Sequence, residues 1–200
     1  MALIELTTSA RIKTVLAIDP SDTTEDAWIS AAIQSVSQRI ELHMDRPIEL
    51  VERTEEYDLS DRRRNSIFLR TYPVTEIASV KNDSSWDFDN ATAIDSELYR
   101  VDAENGVLYF ALELDPGPRS LKVVYTAGLA TNTTELIANY PVIAQAADLQ
   151  IAALFRRRAT PQGESSQGAM SGTQSFEAPL KLIPEVRESL IAVSRRRFGL

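Results

Sequence analysis

The fold is decided by the stretch between Ser120 and Arg158, which begins Ser120-Leu-Lys-Val-Val-Tyr-Thr-Ala-Gly128 and ends Tyr140-Pro-Val-Ile-Ala-Gln-Ala-Ala-Asp-Leu-Gln-Ile-Ala-Ala-Leu-Phe-Arg-Arg-Arg158. Apolar residues at every second position of the first segment predict a strand over 121–125. The second segment predicts a helix over about 141–158, with proline in its first turn. A polar loop, Thr131–Thr134 and its surroundings, joins them. The stretch is therefore expected to connect a β-rich region to a helical one.

Two helices are predicted before this stretch. Residues 7–9 offer N-cap hydroxyls for a helix over about 8–18, which ends near Asp19-Pro20. Asp22-Thr-Thr-Glu25 resembles a capping box, and apolar residues recur with a period near 3.6 from Trp28 to Met44. This pattern predicts a second helix over about 24–44. This helix should end before Arg46-Pro47, because a proline disfavours helical geometry at the residue that precedes it.

Between about residues 48 and 126 the hydrophobic period changes to two, with turn residues between short runs. Asn105-Gly106, between Tyr99-Arg-Val101 and Val107-Leu-Tyr-Phe110, indicates a hairpin because both residues tolerate positive φ. About six strands without an intervening helix predict an antiparallel sheet folded on itself as a sandwich or barrel-like insertion. The expected fold is therefore α+β, a small helical bundle that carries a β insertion.

The chain is expected to end in an arm. Residues 160–178 are rich in Gly, Ser and Gln, which predicts a flexible linker, and a last helix is predicted over about 184–197. The predicted organisation is a helical core of residues 1–47 and 129–159, a β-rich insertion of residues 48–128, and a linker with a C-terminal helix in residues 160–200.

Composition places the chain among ordinary soluble proteins. It has 200 residues, 44% of them hydrophobic, a formal net charge of −8 and no cysteine. The missing cysteines exclude disulfides and thiolate chemistry, and no run of apolar residues is long enough for a signal peptide or a membrane span. The charge is uneven: residues 1–140 hold 24 acidic and 13 basic residues, whereas residues 141–200 hold five and eight. An acidic body repels DNA over most of its surface.

Motifs for catalysis are missing from the sequence. It has no Gly-rich phosphate loop and no nucleophile motif, and its one histidine, His43, lies near a helix end, where a capping or packing role is usual. The Trp86-Asp-Phe-Asp89 loop holds two carboxylates, but a hard cation needs about six oxygen ligands. These carboxylates are expected to flank aromatic side chains that cover the sheet. We therefore expect neither an enzyme nor a bound metal or cofactor.

Three arginine triplets stand out: 62–64, 156–158 and 195–197. The last two fall at predicted helix ends, where cations complement the helix dipole, and the first falls in a turn between strands. The alternative interpretation is pairing with acidic protein surfaces through bidentate guanidinium contacts. The residues expected to bind a partner are Arg156, Arg157, Arg158, Phe176, Arg195, Arg196, Arg197 and Phe198.

Several segments in a fixed order resemble one protein family. They are Leu6-Thr-Thr-Ser-Ala-Arg-Ile-Lys-Thr-Val-Leu16, Asp22-Thr-Thr-Glu-Asp-Ala-Trp-Ile-Ser-Ala-Ala-Ile33, Asp45-Arg-Pro47, Leu69-Arg-Thr-Tyr-Pro-Val-Thr-Glu-Ile-Ala-Ser-Val80, Tyr99-Arg-Val-Asp102, Val123-Val-Tyr-Thr-Ala-Gly128, and Tyr140-Pro141 through Ala-Leu-Phe-Arg-Arg-Arg158. In this order they resemble the head-tail connector proteins of tailed phages, also called adaptor or head-completion proteins. The resemblance covers nearly the whole chain. The departures are the polar loop before Tyr140 and the long C-terminal arm.

The resemblance implies a structural virion protein without catalytic activity. It implies a homo-oligomeric ring of twelve subunits beneath the portal protein, which extends the DNA channel and presents a docking platform to the next neck, stopper or tail protein. DNA would pass through without sequence-specific binding, and assembly would take place in the host cytoplasm without a membrane. The arm from Phe176 to Leu200 would dock in a portal groove or fold back on its own bundle.

Two other functions are left open by the residues themselves. A DNA-binding module would use the arginine triplets 62–64, 156–158 and 195–197, and its affinity for duplex DNA would fall steeply with salt. A carbohydrate- or cell-surface-binding sandwich would use the loop around Trp86, and only the aromatic residues in that turn favour it.

Overall fold

The computed structural model describes residues 4–59, 65–159 and 181–194. Tertiary contacts divide them into two compact units: a helical unit of residues 4–44 and the described part of 132–194, and a β unit of Asp45–Thr131. The predicted α+β fold is confirmed. In chain order the elements are helices α1 (Ser9–Leu16) and α2 (Asp26–Met44), strands β1 (Val51–Leu59), β2 (Ser66–Phe68) and β3 (Val74–Asn82), a 3-10 turn (Ser96–Leu98), strands β4 (Tyr99–Asp102), β5 (Val107–Phe110) and β6 (Gly117–Ala127), and helices α3 (Thr133–Asn139), α4 (Pro141–Ala159) and α5 (Pro184–Ser194).

Local capping explains where the first two helices begin. The Thr8 side chain accepts a hydrogen bond from the Arg11 amide, as the N-cap prediction required. Asp22 instead bonds the amide of Thr24, only two residues on, so it forms a local turn and α2 starts later, at Asp26. The buried ammonium of Lys13 bonds the carbonyls of Pro20 and Asp22, which ties this turn to α1.

The expected polar loop before Tyr140 is wrong in part, because residues 133–139 form the short helix α3. The Asn132 side chain caps it by accepting the Glu135 amide, and Leu136 is fully buried. One apolar anchor among polar residues shows no periodicity, so the sequence pattern did not reveal the helix.

Helix α4 packs against all the other helices of the helical unit. Its alanines make this close packing possible: Ala144, Ala146, Ala147 and Ala152 are each no more than 8% exposed. Helix α5 packs on α4 and α2 and buries Val186 and Leu190 completely. The predicted helix over about 184–197 is thus observed to Ser194, and its last residues lie outside the described part.

The β unit contains two antiparallel three-stranded sheets. The large sheet has the order β1–β6–β3 and the small sheet the order β2–β5–β4. Side chains from both sheets share one buried cluster: Leu59, Ile67, Leu69, Val74, Val80, Leu108, Phe110, Leu114, Leu121, Val123, Tyr125 and Ala127. The expected sandwich-like insertion is therefore two sheets on one core, and the described strands do not close into a barrel.

Two glycines shape the ends of strands in this unit. The β4–β5 hairpin is observed with Asp102 opposite Val107, and only Gly106 of the Asn105-Gly106 pair has positive φ. Gly128 follows β6 with φ 143°, and a Cβ there would collide with the Glu49 carbonyl. The predicted exit after Ala127 therefore depends on a close approach between two backbone segments, which requires glycine. Among the described residues, none of the helices is long and apolar enough to cross a membrane.

Candidate functional site: surfaces for assembly

The structure describes no catalytic constellation. His43 is exposed near the end of α2, and the described residues contain no group of three or more His, Cys, Asp or Glu side chains placed to hold a metal ion. What the molecule does present is a set of exposed charged and aromatic side chains on rigid elements. Exposed aromatic and arginine side chains are enriched in surfaces that contact other proteins.

The arginine triplet 156–158 forms the last turn of α4, where a positive charge complements the helix dipole. Arg158 bonds the Glu25 carboxylate, and its guanidinium lies 5.7 Å from the centre of the Trp28 ring. Phe155 meets the same ring edge-on, with the ring centres 5.3 Å apart. Arg158 is therefore held within the chain, and the exposed Arg157 forms no ion pair with the described residues.

The other residues expected to bind partners lie outside the described part of the chain: Phe176, Arg195, Arg196, Arg197 and Phe198. The whole of the first arginine triplet, 62–64, also lies outside it. The described part of the arm is held firmly to its own bundle. The buried Gln150 side chain of α4 accepts the Ile183 amide at 2.9 Å and donates to the Lys181 carbonyl at 3.5 Å. These bonds fix the chain just before α5, so residues 181–194 belong to the helical unit.

A buried carboxylate in α4 also positions α1. Asp148 is 5% exposed. Its carboxylate accepts a hydrogen bond from the Thr7 hydroxyl at 2.5 Å and forms an ion pair with Arg11 at 2.6 Å. Nothing in the sequence pattern reveals this role, because residues more than 130 positions apart meet only in the folded helical unit.

The loop around Trp86 is built differently from its prediction. Phe88 is buried beneath Lys122 of the large sheet, so this aromatic covers the sheet as expected. Trp86 is 60% exposed instead, with φ 65° and a hydrogen bond from its indole nitrogen to the Pro118 carbonyl. A left-handed tryptophan is uncommon, and the indole bond holds the side chain in place.

The outer face of the small sheet carries exposed aromatic side chains, which sequence reasoning missed. Phe68 and Tyr109 are each 48% exposed and lie diagonally on neighbouring strands. Tyr109 pairs with Ser66 on one side and Arg100 on the other, so these residues form one row across the sheet. We call Ser66, Phe68, Arg100 and Tyr109 the aromatic face. Neither Ser66-Ile-Phe68 nor Leu108-Tyr-Phe110 alternates polar with apolar residues, so the sequence pattern does not show which side chains are exposed.

The outer face of the large sheet is acidic at one end. Glu52 of β1 and Glu76 of β3 both pair with Thr126 of β6, so the two exposed carboxylates flank one row. The next row consists of Thr54, Val124 and Ser79, which are small or β-branched. We call Glu52, Thr54, Glu76, Val124 and Thr126 the carboxylate face. The loop that buries Phe88 covers the opposite end of the sheet.

Inside the β unit, two tyrosines stand near one carboxylate. The Tyr57 hydroxyl bonds Glu55, and the Tyr125 hydroxyl accepts the Thr71 amide at 3.2 Å. Burial, with the adjacent Glu55 carboxylate, raises the pKa of Tyr57 well above its usual range, and burial raises the pKa of Tyr125 to about 12. These groups stay protonated at neutral pH and stabilise the segment that leads into β3.

Comparison with known proteins identifies a family and a fold. A family model described as head completion protein matches residues 5–177. No curated protein matches the chain significantly. Three solved structures resemble the whole chain: the neck of an empty gene transfer agent (GTA) particle with C6 symmetry (TM-score 0.59, 16% identity, 95% of that chain), a native GTA virion (0.57, 15%, 95%) and the neck of a native GTA particle with C12 symmetry (0.52, 18%, 98%). At these identities the likeness concerns the fold.

Proposed function

Because the chain belongs to the head completion protein family, we propose that it is a structural protein of the neck of a virion. In this proposal its subunits form a ring beneath the portal protein, extend the DNA channel and present a platform to the next neck or tail protein. The observation that carries the proposal is the family match over residues 5–177, and the fold shared with chains of GTA necks supports it. A ring of twelve subunits accords with the C12 symmetry of one of those necks.

The charge distribution supports a passive role around DNA. Between residues 45 and 131 the sequence holds 17 acidic and 10 basic residues. A wall of negative charge forms few contacts with phosphates, so a duplex would slide past it without being retained.

The proposal is tested by mixing the full chain with the portal protein from the same virus and measuring sedimentation velocity. We expect a complex larger than the portal alone, which electron microscopy shows as an added ring. The control is an unrelated acidic protein of similar mass, which should leave the portal boundary unchanged. If the chain and the portal sediment independently at micromolar concentrations, the proposed function is wrong.

The position of α5 changes how the arm should be tested. A deletion from residue 176 onward would remove Leu182, Val186 and Leu190 from the core of the helical unit and would confuse folding with binding. Deletion of residues 195–200 keeps α5 intact. If Arg195, Arg196, Arg197 and Phe198 dock on the portal, this shorter deletion weakens the complex, whereas unchanged portal binding would exclude their part in docking.

A further inference from the structure

We propose that neighbouring copies of this chain contact each other through the β unit, with the aromatic face of one copy on the carboxylate face of the next. This proposal rests on the proposed ring and names the surfaces that would build it. A ring contact is heterologous: the two copies use different surfaces, so one chain must carry both halves of the contact.

The aromatic face has a composition suited to one side of the contact between two copies. Phe68 and Tyr109 place two partly exposed rings diagonally on neighbouring strands, and aromatic side chains are enriched at protein interfaces. Arg100 stands beside Tyr109 in the same row, exposed, and forms no ion pair with the described residues. An arginine beside one exposed aromatic residue, with a second on the same face, is suited to a flat partner surface that carries carboxylates.

The carboxylate face has the complementary composition. Glu52 and Glu76 are exposed, and neither forms an ion pair with the described residues. Glu56, further along the same face, is different because Arg119 neutralises it at 2.5 Å. The short side chains of Thr54 and Val124 leave room for aromatic rings next to the free carboxylates.

The position of the two faces permits propagation. Both sheets pack on one core, so their outer faces point away from each other. A copy that uses its aromatic face on one neighbour keeps its carboxylate face free for another. Contacts of this kind continue from copy to copy and close into a ring when the rotation per copy divides the circle.

The charges favour a second copy of the chain as the partner of these two faces. The acidic face would repel duplex DNA, and one arginine with two aromatic rings is too little charge for a phosphate-binding surface. The aromatic face offers two partly exposed rings and one arginine, which are few anchoring side chains for a stable interface. The contact between two free copies should therefore be weak, and ring closure would strengthen it.

The missing cysteines allow a direct test, since any disulfide then reports only an engineered contact. The double variant Arg100→Cys with Glu52→Cys is oxidised mildly in the presence of the portal protein and separated under non-reducing, denaturing conditions. We expect a ladder of cross-linked multimers. An equal mixture of the two single variants should stop at dimers, because each copy then carries only one half of the contact.

Charge reversal gives a second measurement that does not need cross-linking. Arg100→Glu should weaken ring formation at least about tenfold, and adding Glu52→Arg and Glu76→Arg in the same chain should restore most of it. Circular dichroism confirms that these exposed substitutions leave the fold unchanged. The control is Glu104→Arg, an exposed carboxylate outside both faces, which should have no effect.

The outcomes separate this inference from the proposed function. If the wild-type chain forms rings but the double variant gives no ladder and Arg100→Glu changes nothing, the inference is wrong and the ring function stands. The inference is also wrong if each single variant forms disulfide dimers by itself, which indicates a symmetric contact, or if Arg100→Glu abolishes portal or DNA binding while rings still form. Absence of any wild-type complex with the portal overturns the proposed function itself.

Discussion

Gly128 occupies a position in the β unit where a residue with a side chain would be strongly destabilising. Its φ of 143° lies outside the range of other residues, and the space of a Cβ is occupied by the backbone of Glu49. This close approach holds the end of β6 beside the segment before β1, where the Leu50 amide bonds the Ala130 carbonyl.

Gly128→Ala is expected to lower the free energy of unfolding by more than about 3 kcal/mol, because backbone strain and a steric collision act together. Gly117→Ala is the matched control: its φ is ordinary, and the new Cβ would lie 3.3 Å from the Ser120 Cβ. The control should lose no more than about 1 kcal/mol. Urea unfolding followed by circular dichroism compares the two, and equal losses would contradict this account of Gly128.

Two adjacent arginines at the end of α4, Arg157 and Arg158, differ in their contacts, so their substitutions can be compared. Arg158→Ala removes an ion pair with Glu25 and a contact with Trp28, so we expect a loss of about 1 kcal/mol in the free energy of unfolding. Arg157→Ala should change it by less than about 0.5 kcal/mol. If portal binding then depends on Arg157 but not on Arg158, the triplet binds its partner through an arginine that forms no ion pair with the described residues.

Tyr57 connects the stability of the β unit to alkaline pH. Its pKa is raised in the folded state, so the folded chain keeps a proton that the unfolded chain loses near pH 10. The unfolded state binds fewer protons there, and stability must fall as pH rises above about 10. Urea unfolding at several pH values should show this fall, and Tyr57→Phe should make it shallower. An identical slope in the variant would show that Tyr57 does not contribute.

At the scale of elements, the C-terminal helix is part of the bundle and not a free arm. Helix α5 buries Val186 and Leu190 against its neighbours, and Gln150 of α4 bonds the segment that precedes it. Residues 160–180 therefore lie in the sequence between two packed helices, and residues 195–200 come after α5.

Two adjacent residues of α5 test its packing. Leu190→Ala should cost about 2–4 kcal/mol, because it removes a fully buried side chain and leaves a cavity. Ile191→Ala removes a side chain that is 41% exposed and should cost less than about 1 kcal/mol. Thermal unfolding measures both. Equal, small losses would mean that α5 does not pack on the helical unit in solution.

At the scale of the whole molecule, charge decides how the chain meets DNA. The formal net charge is −8, and the acidic residues are concentrated before residue 141. We expect no binding of duplex DNA at low salt by fluorescence anisotropy, because repulsion outweighs the contacts of a few arginines. Binding that falls steeply as salt rises would instead support the DNA-binding alternative.

Much of the fold could be read from local patterns because those patterns act over a few residues. Apolar spacing located α1, α2, α4 and α5 to within about two residues at most ends, and turn residues located the β4–β5 hairpin. Strand β6 proved longer than the predicted 121–125, because its first residues, Gly117-Pro-Arg-Ser120, include no large apolar residue and begin with two residues that are rare in strands. Helix α3 was not predicted, because Leu136 is its one buried residue and a single apolar position shows no helical period.

The sequence by itself determined most of the element types, the acidic charge and the order of segments that indicates a head completion protein. Only the tertiary structure decided which faces are exposed and which charges are already paired. Pairing of strands brings Arg100 beside Tyr109 and sets Glu52 and Glu76 on either side of Thr126. Folding also engages Arg158 and Asp148 within the helical unit. Except for the Arg100–Tyr109 pair of the β4–β5 hairpin, these contacts join residues far apart in the chain, and no local pattern records them because they depend on register and packing.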